Sequence, residues 1–387
     1  MSGLLLALIY IAFISLGLPD SLLGSAWPVL HAEIQVPVSY AGIISMIISL
    51  GTILSSLLSD RMLHKFGTGK VTAFSTALTA IALFGFSTST QFWMLVLWAI
   101  PYGLGAGAVD AVLNNYVALH YKAQHMSWLH CMWGVGASIS PYIMSYALVK
   151  LSNWNYGYLI VSVIQISLSV FLFMCLPLWK KNATTTNETD AVSSDKPMTF
   201  KELFATPGAL ACFLAFFAYC AMEMTASLWA SSYLVENRDI LPETAASLAC
   251  LVYLGITIGR AINGFLAMKL KDRLLIRLGI GIVALGIALI SLPLNAWFSI
   301  IGLFIIGLGC APIYPCIMHM TPEIFGADKS QAMIGMQMAF AYLGFLFMPS
   351  LFGLLANHLS FALLPIYLLV LLILIFVMHE KIIKQTR

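Results

Sequence analysis

Charge is what this sequence has least of: Asp, Glu, Lys and Arg make up only 9% of its 387 residues, against 60% hydrophobic. A soluble domain carries roughly 25% charged residues to hold its surface in water. Most of this chain must therefore meet an apolar solvent. The net charge of +3 is too small to point to nucleic acid. The seven cysteines lie inside apolar stretches without the paired spacing of a metal knuckle, and read as small packing residues rather than disulfide partners. Paired histidines at ligand spacing, a nucleophile elbow and a P-loop are all missing, so no enzyme, metal or cofactor is expected. Neither a basic n-region nor a small-residue cleavage pattern follows Met1, so the first apolar stretch is expected to stay in the mature protein.

Apolar runs are what the sequence has in abundance. About 20 residues of helix cross a hydrocarbon layer of about 30 Å. Runs of that order lie at 4–30, 38–58, 71–89, 92–119, 127–149 and 156–178, then at 208–235, 245–268, 274–292, 297–320, 332–355 and 361–378. None alternates as the strands of a membrane barrel do. The expectation is an all-α membrane protein of about twelve transmembrane helices. The only long polar stretch, 179–207, divides them into bundles at 1–178 and 208–387 and reads as a linker with a short surface helix near Phe200–Phe204.

Lys and Arg set the orientation. With the amino terminus inside, the basic residues from Arg61 to Arg387 face the cytoplasm except Lys150 and Arg238, which fall outside, and Arg260, which lies within a span. Both termini are expected to be cytoplasmic, in the cell (inner) membrane. The halves also repeat: Gly51 and Gly255, Gly103 and Gly307, and Gly105 and Gly309 are each 204 positions apart. One offset shared by three spans, on either side of a linker, points to parallel duplication of six-helix halves. That is a transporter architecture with its site at the interface of the repeats.

Of sixteen acids, only Asp20, Asp110 and Glu223 lie well inside spans. A charge at mid-bilayer costs about 2.5–3.5 kcal/mol even on the lenient insertion scale, so each should face a cavity, find a partner or carry a proton. Gly17, Asp20, Gly24 and Trp27 share one helical face, as do Gly103, Gly107, Asp110 and Asn114. Asp20 and Asp110 are the candidates for proton coupling. The reading of Glu223 stays open between proton and solute. Sugar sites stack aromatic rings on C–H faces and bind hydroxyls through amides and carboxylates. By that chemistry Glu223, Asn114, His130, Trp27, Trp133, Trp229, Tyr253 and Gln337 are the candidates for solute recognition. Asp60 and Arg61, beside Lys65, Gly67 and Lys70 in the short loop after the second span, and the deeper Arg260 are candidate gating residues. Structural hydrogen bonding and packing are the competing reading for the acids and the solute candidates, and a solvated loop charge is that for Lys65 and Lys70 but not for the deep Arg260.

The loop Asp60-Arg61…Lys65-Phe66-Gly67-Thr68-Gly69-Lys70 resembles the loop signature of the major facilitator superfamily, with inserted residues and Thr68 where a basic residue is usual. The segment Gly103-Leu104-Gly105-Ala106-Gly107-Ala108-Val109-Asp110…Asn114 is similar to the fucose:proton symporter group, which carries one acid on its first helix and one on its fourth. Asp20 and Asp110 stand at those places. The resemblance implies two pseudo-symmetric six-helix bundles and proton-driven uptake of a monosaccharide or similar small polar solute by alternating access. The expected partners are that solute, protons and lipid, and a monomer is expected in the absence of an association signal. Gly136-Ala137-Ser138-Ile139-Ser140-Pro141 approaches the fifth-helix motif of drug:proton antiporters, with Ser140 in place of its second glycine. A proton-coupled exporter of amphiphilic compounds is therefore the competing transport reading, and a membrane sensor without transport the rival from another class.

Overall fold

The computed structural model describes residues 3–37, 40–179, 198–240, 242–293 and 295–385. Most of the linker, 180–197, falls outside them. Among the described residues there is no strand, and helices follow one another through short turns. The first half contains α1 (Gly3–Gly17), α2 (Leu22–Glu33), α3 (Tyr40–Phe66), α4 (Thr68–Ser87), α5 (Phe92–His120), α6 (Ala123–Lys150) and α7 (Asn155–Met174). A short α8 (Phe200–Ala205) precedes the second half, which contains α9 (Ala209–Arg238), α10 (Pro242–Leu266), α11 (Asp272–Ser291), α12 (Ala296–Cys310), α13 (Ile313–Phe325), α14 (Ser330–His358) and α15 (Leu364–Gln385). Among the described residues, ten stretches are long and apolar enough to cross a membrane, counting α1 with α2 and α12 with α13 as one crossing each. With α10, whose apolar part Cys250–Leu266 is shorter, and the more polar α6, they make up the expected twelve crossings.

Two spans read as continuous are broken. The first stops at Gly17 and resumes at Leu22, so Asp20 sits in the break. Pro19 supplies no N–H there, and the turn closes with Asp20 N–H on the Gly17 carbonyl (3.3 Å) and Leu22 N–H on that of Pro19 (3.1 Å). The tenth breaks between Cys310 and Ile313, beside Pro312. The opposite correction applies at Asp60 and Arg61. Both lie in the last turns of α3, which runs to Phe66 without a loop, and the reversal falls on Gly67 alone, at φ +75°. A left-handed glycine lets two helices abut without a longer connection. The surface helix after the linker is present as α8. Thr199 and Glu202 close it with a reciprocal capping box, whose hydrogen bonds hold the Glu202 carboxyl below the usual carboxylate range.

The described chain forms two compact units. One comprises Met1–Tyr116, Leu129–Met198 and Ala327–Gly335, the other Val117–Trp128, Thr199–Gly326 and Met336–Arg387. The repeat is visible inside each. In the first, a Cβ on Gly103 would meet the Ile48 carbonyl oxygen; in the second, one on Gly307 would meet that of Val252. Residues 48 and 252 are also 204 apart, so one glycine-mediated crossing occurs twice. A polar contact repeats likewise. Gln331 Nε2 donates to Ser59 Oγ at 2.9 Å in the first unit, and Asn263 Nδ2 to Ser127 Oγ at 2.7 Å in the second. Ser59 and Asn263, and Ser127 and Gln331, are again 204 apart.

Packing inside each unit follows membrane rules. Small residues let backbones touch, and polar side chains bond across helices, each such bond being worth about 0.6 kcal/mol on average. Gln165 of α7 accepts from Thr79 Oγ1 at 2.8 Å and donates to the Ser15 carbonyl at 2.6 Å, joining α4, α7 and α1. Arg238, at the end of α9, donates to Ser299 Oγ (2.6 Å) and to the carbonyls of Ile290 (2.7 Å) and Leu292 (2.8 Å). It thereby satisfies helix-end carbonyls of α11, a structural use for a basic residue that stands apart from the charge asymmetry. Exposed side chains are largely apolar, among them Leu54, Phe74, Leu97, Val170, Phe265 and Ile366.

Candidate functional site

The acids of the first unit are assembled by α5 and α6 around the break after α1. A close crossing sets α1 against α6: a Cβ on Gly17 would meet the Trp133 carbonyl, and one on Gly136 that of Ile14. Gly136, which opens the stretch compared above with the exporter motif, serves this crossing. It brings Trp133 to Asp20. Trp133 Nε1 donates to Asp20 Oδ2 at 2.8 Å, and Tyr102 Oη from α5 donates to Oδ1 at 3.0 Å. The Asp20 side chain is densely surrounded by protein yet remains exposed.

Asp110 is buried, and Asn114 Nδ2, one turn further along α5, donates to its Oδ1 at 2.8 Å. With that amide nitrogen committed, Asn114 Oδ1 accepts from His130 Nε2 at 3.0 Å, which makes Nε2 the protonated ring nitrogen. Asp110 lies within electrostatic reach of Asp20. No lysine or arginine forms an ion pair with either carboxylate among the described residues. Two negative charges without a cation repel, and uptake of one proton relieves the repulsion.

The second unit solves its burial problem differently. Glu223 of α9 accepts from Tyr219 Oη one turn before it, and Arg260 Nη2 of α10 lies 3.8 Å from Glu223 Oε2. Tyr219, Glu223 and Arg260 are all buried. Each ion withdrawn from water costs several kcal/mol, which only a close opposite charge offsets. Arg260, paired in sequence with the region of Asp60 and Arg61, is thus brought to Glu223, an acid in its own unit at its own depth.

The other predicted residues are scattered. Trp27 packs in an apolar cluster with Leu22, Leu83, Phe86 and Tyr158. Trp229 donates to the Pro349 carbonyl at 2.9 Å and its ring meets Phe352 and Phe361. Gln337, fully buried, is committed to Thr321 Oγ1 (2.9 Å) and Cys212 Sγ (2.8 Å). Tyr253 is half exposed. Asp60 is buried, 3.3 Å from His64 Nδ1, and accepts from the Met198 N–H at 3.2 Å, while Arg61 is exposed. Sequence reasoning missed Tyr102 and Tyr219. Both carry a periodicity signal: Tyr102 precedes Asp110 by eight positions, about two helical turns, and Tyr219 precedes Glu223 by four.

The profile of the Major Facilitator Superfamily matches residues 9–241 and again 211–386. Among characterised proteins, the chain is similar to the glucose/mannose transporter GlcP of Bacillus subtilis (strain 168), with 22% identity over 331 residues, 81% of this chain and 79% of that protein. It is also similar to the hexuronate transporter of the same organism, with 24% identity over 262 residues, 65% of this chain and 60% of that protein. The fold matches the crystal structure of the transporter FucP in its outward conformation, with a TM-score of 0.79, 13% identity and 97% of both chains covered. It matches the proton:xylose symporter XylE with a TM-score of 0.77, 11% identity, and 99% and 95% covered. The all-helical crossings, the repeated glycine contacts and a family profile that runs from residue 9 to residue 386 lead to one assignment: this chain belongs to the Major Facilitator Superfamily and is a membrane transporter, not an enzyme.

Proposed function

We propose that the protein is a proton-coupled symporter that takes up a monosaccharide or similar small polar solute by alternating access. One observation carries this reading: two carboxyls within membrane spans, Asp20 and Asp110, are held by neutral hydrogen-bond donors and form no ion pair with a lysine or arginine among the described residues. Asp20, at a helix break and exposed, is the one open to exchange; Asp110, buried and bonded to the Asn114–His130 pair, is the one a proton neutralises. Discontinuous membrane helices recur at the ion and solute sites of secondary transporters. The Trp133 indole and Tyr102 phenol beside Asp20 are a donor-and-ring combination suited to a sugar. The sugar reading is further supported by relatives named for glucose and mannose and for hexuronates. Glu223, already neutralised by Arg260, is assigned to solute or structure rather than to the proton. The distribution of Lys and Arg supports residence in the cell (inner) membrane with both termini cytoplasmic.

The test uses proteoliposomes with an imposed pH gradient and radiolabelled glucose, mannose and xylose. Wild-type protein accumulates its solute uphill. Asp110→Asn loses accumulation but keeps counterflow exchange, since binding and rocking survive without the coupling proton. Undiminished accumulation in Asp110→Asn would remove Asp110 from coupling.

A further inference from the structure

The transport reading leaves a largely enclosed histidine of the second unit without a role. His319, on α13, has Nδ1 2.7 Å from Oδ2 of Asp272, the first residue of α11, and Nε2 3.2 Å from the backbone carbonyl of Tyr121, in the turn between α5 and α6. Both partners are acceptors. A neutral imidazole has one N–H and one lone pair, so with an ionised Asp272 one contact would set lone pair against lone pair. Two arrangements satisfy both contacts. Either an imidazolium donates to the carboxylate and to the carbonyl, or a protonated Asp272 donates to Nδ1 while Nε2–H donates to Tyr121. In both, the group holds one proton more than a carboxylate plus a neutral histidine.

The surroundings are consistent with a bound proton. The carboxylate side chain of Asp272 is 9% exposed and the ring of His319 22%. Glu323, one turn further along α13, is paired with Arg273 at 3.7 Å. The Cys316 thiol also reaches Asp272. On the facing turn the titratable groups are His120, Tyr121 itself, Lys122 and His125. The segment also makes uncharged contacts, Ser127 accepting from Asn263 and Trp128 lying edge-on to Phe265 at 5.5 Å. His319 is therefore an ionisable fastening of the segment Val117–Trp128.

We propose that His319 and Asp272 form a second proton-binding site, separate from Asp20 and Asp110, whose occupancy holds the α5–α6 turn against α11 and α13. The turn joins the helix that carries Asp110 and Asn114 to the helix that carries His130 and Trp133, so a proton bound at its foot biases the helices that bear the acids. The docked turn binds a proton that the released turn does not hold. Docking is therefore strongest at low pH and weakens as pH rises. In the orientation proposed above, this turn faces the cytoplasm. Acidification there prolongs one arrangement of a carrier that must cycle, and slows turnover as protons accumulate.

Hydrogen exchange of residues 117–128, measured by mass spectrometry on the full chain in lipid nanodiscs and corrected for intrinsic rates, tests this without any solute. In the wild type, protection falls between about pH 6 and pH 9, a range that includes the ordinary imidazole value of about 6.5. The fall has a slope of up to about ten-fold per pH unit, that of a one-proton linkage. In Asp272→Asn the amide donates to a neutral His319 and replaces the proton, so protection stays high and flat across the range. In His319→Gln protection is flat and lower. Wild-type protection that ignores pH, or an Asp272→Asn variant that titrates like the wild type, overturns the proposal. Since solute transport does not enter the measurement, its outcome is independent of whether the coupling role of Asp110 survives.

Discussion

At the scale of single residues, the two units carry membrane-buried acids in opposite ways. Glu223 has a guanidinium beside it, and Asp20 and Asp110 have only neutral donors among the described residues. Removing one member of a buried ion pair leaves an uncompensated charge, at a cost of about 3–5 kcal/mol, whereas removing both is far milder. Arg260→Gln should therefore lower the unfolding temperature markedly in detergent, and Glu223→Gln with Arg260→Gln should recover most of the loss. A double variant as unstable as the single one would mean that the Glu223 contact is not what holds Arg260. Tyr102→Phe keeps the ring and removes one hydrogen bond to Asp20. Asp20 keeps its Trp133 donor and is exposed, so water can replace the lost bond at little cost in stability. Under the symport reading, the rate of pH-driven uptake should fall about ten-fold or more while the unfolding temperature barely moves. A parallel loss of stability and uptake would make Tyr102 structural.

At the scale of elements, the glycine crossings make a matched prediction. A side chain at Gly103 meets the Ile48 carbonyl and one at Gly307 the Val252 carbonyl, while nothing lies within 4 Å of a Cβ at Gly281. Overpacking costs about 1–3 kcal/mol. Gly103→Val and Gly307→Val should lower thermal stability by similar amounts, and Gly281→Ala should leave it nearly unchanged. A large difference between the two valine variants would show that the repeated geometry does not carry repeated energy. The break at Asp20 belongs to this scale too. Pro19→Ala restores an N–H and permits a continuous helix, so stability should hold or rise while uptake falls. Full uptake in that variant would show that the break is not needed.

At the scale of the whole molecule, the proposed orientation places both termini in the cytoplasm. Green fluorescent protein fused at either end should fluoresce, and alkaline phosphatase fused at the carboxyl terminus should stay inactive. Phosphatase activity there would reverse the topology and move the His319 site to the opposite face. The sequence alone determined the all-helical membrane class, the number of crossings and the repeat, because hydrocarbon thickness dictates span length and close crossings demand glycine at a fixed offset. It also singled out the three acids within spans, since a charge there is costly wherever its helix lies. Tertiary structure alone decided their partners: Arg260 on Glu223, Tyr102 and Trp133 on Asp20, His319 on Asp272 and Tyr121. It also set Trp27 in an apolar cluster, Trp229 on the Pro349 carbonyl, and Gln337 on Thr321 and Cys212. Periodicity tells which residues share a helix face, but a side-chain contact between helices depends on their rotation and depth, which no stretch of a single helix encodes.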